Sequence, residues 1–553
     1  MNRRSFLALV SVAVSFSLVL VPAGCRSRSE RYGLHELGVS PRQIHEVEPL
    51  QLKQAEPNEV PPEPNQPPPE KIELSLEQSR AMALENNLQL KASLMSPAIA
   101  EAQFSAEEAK FESAFFANTN FAKTEVPFGT LTPVGDTGVF IPTITASQSE
   151  RLATDLGVQM PLRTGGTVTF DFSDNQTKDI TRGGSSYNDG FSASLSHPLL
   201  RNAGQRVNAY SIRVAAYNRD IVNTRTKLDV ITVLAALDRV YWRLYAARKE
   251  LEVRQQQYGL AQAQLERARR LVEGGQRAQV EIIRAEAGVA QQLEAIIIAE
   301  NNLRDREREL KRVIHEAGLD VQTPTVVVPT TLPDPVRYAL DRPRLVSTAI
   351  ENRMELLELQ LQLLQDASTV DYARNQTLPL ATLGYTYNIN GTGMTRGDSL
   401  DLLLDSDFVD HRLSLRMVVP IGNEAAKSRV RQAIYQRRQR LATRANREDL
   451  IRQDVLNAAD QVEANWQRIL AARQTSILNG RLFEAEQRQF DQGMRTSTDV
   501  LDAQIKFADA QSAEIRALAD YQISLVDVAY ATGTLLGSAK VRWEPIVPEA
   551  NVD

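Results

Sequence analysis

The feature that most constrains this chain is a plan it carries twice, each time with a very long stretch free of proline. Leu74–Leu90 (LSLEQSRAMALENNLQL) matches Leu340–Leu356 (LDRPRLVSTAIENRMEL), with Ala83-Leu84-Glu85-Asn86 opposite Ala349-Ile350-Glu351-Asn352. Arg243–Arg248 (RLYAAR) returns as Arg468–Arg473 (RILAAR), and Val272–Ala285 as Asp491–Ala503, with Gly275 opposite Gly493. The stretches Leu199–Thr323 and Ile421–Glu544 contain no proline. A proline inside a helix costs about 3 kcal/mol, so its absence over such lengths permits long helices.

The apolar pattern calls for those helices. Val230, Leu237, Leu244, Leu251, Tyr258, Leu265 and Val272 recur every seven residues. After Gly274-Gly275 the same period resumes at Ile282, Val289, Ile296, Leu303 and Leu310. A strict seven-residue repeat makes a seam that supercoils left-handedly. Glycine adopts the left-handed helix cap without strain, so Gly274, Gly275 and Gly493 are the expected turns at the tips of two helical hairpins. One helix over 206–273 would be about 100 Å long at 1.5 Å per residue. Arg248 to Gly275 is 27 residues and Arg473 to Gly493 is 20, so one arm is expected to be a heptad shorter.

Between the helices lie period-two segments. Leu413, Leu415, Met417 and Val419 alternate with polar neighbours, as do Ala381, Leu383, Tyr385, Tyr387 and Ile389. In the first copy Phe191, Ala193 and Leu195 form one set and Phe115, Ala117, Thr119 and Phe121 another. Such alternation marks a half-buried strand, either in a soluble sheet with one wet face or in an outer-membrane barrel. The first copy has two further strands, with Leu156, Val158 and Met160 on one and Val168, Phe170 and Phe172 on the other. Arg163-Thr164-Gly165-Gly166 joins them as a tight turn. The expectation is a hairpin at 154–173 that either joins the barrel wall or loops outside it. The class is α+β.

The N-terminus reads as an address. Arg3 and Arg4 precede an apolar run from Phe6 to Val21, then Pro22-Ala23-Gly24-Cys25. A basic start, a short apolar core and small residues make an export signal. The lone cysteine after the small residues resembles a bacterial lipobox, which implies lipidation of Cys25, although Pro22 departs from that pattern. An ordinary signal peptide cut nearby is the alternative, and Arg3-Arg4 leaves open a twin-arginine route. Within 26–70, Pro57, Pro61, Pro62, Pro64, Pro67, Pro68 and Pro69 make a semi-rigid spacer. The expected layout is a signal over 1–25, the linker 26–70, a first repeat over 71–323, a proline-rich joint over 324–335, a second repeat over 336–537 and a tail over 538–553.

Composition removes several classes. A net charge of -6 gives no support to nucleic-acid binding. After residue 25 no apolar run reaches the roughly 18–20 residues of a spanning helix. A single cysteine excludes disulfides within the chain, and five scattered histidines offer no metal-ligand spacing. No catalytic grouping is visible, and no cofactor is expected.

The doubled Ala-Leu/Ile-Glu-Asn opening, the strands ending in Pro198-Leu199-Leu200 and Pro420-Ile421, and the tips Gly275–Ala285 and Gly493–Ala503 together resemble the outer-membrane efflux protein family, the TolC-like outer-membrane factors. The resemblance covers 71–537. It implies a homotrimer in the outer membrane, with strands from each chain in one shared β-barrel and helices in a periplasmic tube. It implies docking on a periplasmic adaptor and an inner-membrane pump, with passage of solutes as the function. Two strands per copy are the family norm, so the hairpin at 154–173 is a departure. A periplasmic adaptor lipoprotein or a coiled-coil lipoprotein without a pore is the competing reading; two full copies with membrane-type strands argue against both.

The resemblance also implies a constriction at the tips. Acids at Asp499 and Asp502 would ring the closed entrance, and Arg495 would bond an acid on the neighbouring tip, matched by Glu281. Glu281 and Asp499 each lie six residues after a tip glycine. The plainer reading of Thr496-Ser497-Thr498-Asp499 is a helix start, capped by Thr496 and Asp499. Trp242 and Trp466 read as packing residues on the long helices.

Overall fold

The computed structural model describes residues 71–133, 138, 140–181 and 183–544. The export signal with Cys25, the linker 26–70 and the end of the tail lie outside the described residues.

The duplicated opening folds the same way in both copies. α1 (Leu76–Asn86) starts with a capping box between Ser75 and Gln78, and α2 (Leu88–Glu108) follows it. In the second copy α5 (Arg342–Asn352) precedes α6 (Met354–Asn375). Each first helix stops where a residue in extended backbone, Asn87 or Arg353, donates its N–H to the carbonyl of Ala83 (3.0 Å) or Ala349 (2.9 Å).

Four long helices follow the predicted hairpins: α3 (Tyr210–Glu273), α4 (Val280–Ile314), α8 (Glu424–Asp491) and α9 (Ser497–Ala531). At 64 residues, α3 is about 96 Å long. Both tips close with the same Schellman motif. Gly275 N–H reaches Val272 O and Gln276 N–H reaches Leu271 O; Gly493 and Met494 do likewise on Phe490 and Gln489. Only the C′ glycines need the left-handed region, with φ +69° at Gly275 and +83° at Gly493. Gly274, at φ -76°, is the last cap residue and not part of the turn.

Two expectations about the arms are corrected. The return helices α4 and α9 are both 35 residues, so the heptad offset moves the repeated Ala-Ala-Arg motif along the arm without shortening it. The seam also shifts toward the tips. Val230, Leu237 and Leu244 are buried as expected, but beyond them the buried positions of α3 are Val253, Gln257, Ala261, Gln264 and Ala268. On α4 they are Glu281, Ala285, Gly288 and Gln292, one place before Ile282 and Val289. Small residues let the backbones come close: a Cβ on Gly288 would meet Leu501 Cδ1 of α9 at 2.3 Å. The larger apolar side chains stand half-exposed beside this seam.

The proline-rich joint is seated against the first repeat. β6 (Val326–Pro329) pairs in parallel with β1 (Lys71–Leu74). Tyr241, fully buried, donates its hydroxyl to Leu74 O and accepts from Thr331 N–H, both at 3.0 Å. Trp242 packs edge-on to Tyr241 and Tyr245, and Trp466 tilts against Tyr521, as packing residues do. Beside them Arg80 grips the fully buried Asp238 bidentately at 2.8 and 2.7 Å. Arg80→Met strands that charge and should cost about 3–5 kcal/mol, read as a lowered unfolding midpoint. The double change Arg80→Met with Asp238→Leu should recover most of the loss.

The remaining strands form one antiparallel sheet in the order β2 (Ala114–Pro133), β3 (Phe140–Pro161), β4 (Thr167–Asp179), β5 (Ser185–Pro198), β7 (Leu380–Gly393), β8 (Val409–Val418). Every period-two segment is a strand, and the hairpin at 154–173 lies inside the sheet as β3 and β4. β2 and β3 run well past the segments marked by alternation, to 20 and 22 residues. A short helix α7 (Arg396–Asp405) that no sequence signal announced lies against β7, where Gly391 and Gly393 leave room for it and Arg396 pairs with Asp174 at 2.7 Å.

Candidate functional site

Register sorts the six strands into two unlike faces. Residues directly opposite in an antiparallel pair share a face. One row across the sheet reads Ala117, Leu156, Phe172, Phe191, Ile389, Val409, and the next Phe115, Val158, Phe170, Ala193, Tyr387, His411. The row between them, on the other face, reads Phe116, Gly157, Asp171, Ser192, Asn388, Asp410. One face is therefore an apolar band and the other is lined by small polar groups. Many of the band's side chains are exposed in the single chain, among them Leu413 (73%) and Leu415 (67%).

Among the described residues both outer edges of the sheet are unpaired, since β2 and β8 each have one neighbour. Every residue of β8 is exposed. Bare edges bordering an apolar band need pairing, because lipid offers no hydrogen bonds to free N–H and C=O groups. Among the described residues no helix is long and apolar enough to cross a membrane. The sheet's apolar face is the surface suited to lipid.

The second part of the site is where the hairpin tips meet. Glu281, on the first turn of α4, is buried, and its Oε2 accepts from Ser497 N–H at 2.8 Å at the start of α9. Its Oε1 accepts from Arg284 at 2.7 Å. Burial pushes the Glu281 carboxyl up, but hydrogen bonding from Ser497 and the Arg284 guanidinium outweigh it and hold the group below its ordinary value of 4.5. Its contribution is complete above that value and lost as the pH falls through the lower folded one, so the contact is intact at neutral pH.

Arg277 ties the two tips more broadly. Its guanidinium donates to Phe490 O (2.8 Å) and Arg495 O (3.1 Å) and lies 4.9 Å over the Phe490 ring, which is fully buried. Sequence reasoning passed over Arg277, although it stands two residues after Gly275 as Arg495 stands two after Gly493.

Arg495 and Glu281 are not bonded to each other within the chain. From the turn, Arg495 reaches back onto α8, to Glu486 Oε2 (3.1 Å) and Gln489 Oε1 (3.0 Å), and both oxygens of Glu281 are engaged as described. Asp499 forms the capping box: its Oδ2 accepts from Thr496 N–H (2.9 Å) and Oγ1–H (2.8 Å). Those two donors, with Arg495 and Arg284 nearby, hold its carboxyl below the usual range. Capping thus keeps Asp499 ionised. Asp502 stands exposed one turn further on.

No group of three or more metal-ligating acids, histidines or cysteines occurs among the described residues.

Residues 345–534 match the sequence profile of the family described as Outer membrane efflux protein. The chain is 25% identical over 307 residues to the outer membrane protein TolC of Vibrio cholerae serotype O1, across 54% of this chain and 66% of that protein, a little under two thirds of its length. In fold it is similar to CusC (TM-score 0.60, 11% identity), over 83% of this chain and 92% of that one. It is likewise similar to VceC, an outer membrane protein of Vibrio cholerae (TM-score 0.59, 13% identity), over 83% and 96%. At such identities the two structural likenesses speak for the fold alone.

Proposed function

We propose that this chain, kin by sequence to the outer membrane efflux proteins through its second repeat, is the outer-membrane exit duct of an efflux or secretion assembly. The observation that carries the reading is the division of one six-stranded sheet into an apolar and a polar face, with both edges bare, above four long helices. A sheet of that kind completes itself by pairing β8 of one copy with β2 of the next. Three copies close the barrel in lipid, and their helices close a tube below it. The half-exposed apolar ridge beside each seam supplies helix-to-helix contacts between copies. Solutes enter at the tips from a periplasmic adaptor and an inner-membrane pump and leave through the barrel. The function is passage, not catalysis. Purified protein should have the mass of a trimer and give discrete ion conductance in planar bilayers; a monomer without conductance would overturn the reading.

The tips are the gate in this proposal. Asp499 and Asp502 lie one turn apart, so a trimer presents six carboxylates around its axis, and such rings favour cations. Asp499→Asn with Asp502→Asn should abolish block of the channel by divalent cations. The amide at 499 still accepts the cap hydrogen bond through its oxygen, so α9 should start as before. Persistence of the block would remove the ring.

A further inference from the structure

We infer that the β3–β4 hairpin is a lipid-facing part of the wall, so that three copies of six strands close an eighteen-stranded barrel whose bore continues that of the helical tube. This rests on the duct reading above.

The hairpin is built in. β3 and β4 lie between β2 and β5, with unbroken register to both. β2 and β5 already run antiparallel, so the insertion adds two strands and leaves every other direction unchanged. Leu156 with Phe172, and Val158 with Phe170, stand in the rows that continue the apolar band, and Gly157 with Asp171 stands in the polar row. The turn is locked to the approach to α3. Thr164 O accepts from Gly204 N–H at 2.9 Å, and His197 Nε2 lies 3.1 Å from Thr164 Oγ1. Gly165, at φ +98°, leaves no room for a side chain, because a Cβ there would meet Asn202 O at 2.3 Å.

Widths support the same conclusion. Packed helices are spaced 8–10 Å apart, so four helices per chain take up an arc of about 36 Å. Strands 4.8 Å apart and tilted near 40° take about 6 Å each, so six occupy about 38 Å and four only about 25 Å. Six strands therefore match the helices beneath them. By the same geometry eighteen strands close at a backbone diameter of about 36 Å, against about 24 Å for twelve. The inward side chains of the inserted pair and its neighbour alternate small ones (Gly157, Ser173, Gly190, Ser192) with longer polar ones (Arg151, Gln159, Asp171), so they take up only part of the added width. The membrane portion then excludes nothing that the tube admits. Cargo as thick as an α-helix with its side chains, about 10–12 Å, crosses it without contact, and selection by size falls to the tips.

The test uses the full protein in bilayers. Phe170→Trp, with Phe172→Trp as a second variant should the first assemble poorly, should add a blue-shifted emission, and brominated acyl chains should quench about half of it or more, as lipid contact requires. Neutral polymers about 20 Å across, added on the outer side, should enter the lumen and lower the conductance, because a bore of this diameter admits them. Added emission that brominated lipid leaves untouched, or polymers of that size shut out, overturns the eighteen-stranded wall while conductance keeps the duct. Quenching without any conductance overturns the duct and leaves the hairpin in lipid.

Discussion

Replacing Arg277 by alanine together with Arg495 by serine should open the tips, seen in planar bilayers as a higher single-channel conductance at rest. Arg277 spans the two hairpins of one chain through two carbonyls of the second tip and the Phe490 ring. Arg495 braces that second tip against Glu486. Hydrogen bonds from charged groups contribute about 1.5–3 kcal/mol, so the pair should shift the closed-to-open ratio by on the order of ten- to a hundredfold. Both helices keep their glycine caps, so the hairpins themselves should survive. Arg277→Lys separates charge from geometry: an ammonium cannot hold both carbonyls and the ring as the planar fork does, and its conductance should lie between the parent and the alanine form. Resting conductance identical in all three proteins would remove the tips as the gate.

Leu413→Arg with Leu415→Arg should abolish assembly in the membrane. Both side chains belong to the apolar band at the β8 edge, opposite Tyr385 and Leu383. An arginine facing lipid near the midplane costs about 2–4 kcal/mol, so two exceed half the stability of many domains. Thr169→Lys is the matching control, since Thr169 faces the polar side opposite Gln159 and Ser194. It should leave heat-stable trimers in the outer-membrane fraction while the double arginine form leaves none. Equal amounts of trimer from both would mean that the faces are assigned the wrong way round.

The elements themselves were legible because their signals are local. The seven-residue period marks α3 and α4, the proline-free second copy of the same plan marks α8 and α9, and Gly275 and Gly493 mark their turns. Alternation marks six strands, though it ends early in β2 and β3, where Thr130, Thr132, Thr143 and neighbouring prolines carry no apolar period. The buried seam near the tips was not legible. Gln257, Gln264 and Gly288 are buried there in place of Tyr258, Leu265 and Val289, because close approach of two backbones favours small and adaptable contacts over a large ridge. The pairing of Glu281 with Arg495 was implied by the family resemblance; within the single chain the Glu281 carboxylate is held by Ser497 N–H and Arg284.

By itself the sequence determined which residues are helix and which strand, where the hairpins turn, and which side of each strand is apolar. Those properties follow from the backbone's own repeats of 3.6 and 2.0 residues, which any stretch of chain displays without reference to the rest. Only the tertiary structure decided that β3 and β4 stand inside the sheet, that the joint pairs with β1, and that Arg277 and Glu281 tie the first tip to the second. Those contacts join residues far apart in the chain, and their partners are set by which surfaces the folded helices bring within a few ångströms of one another.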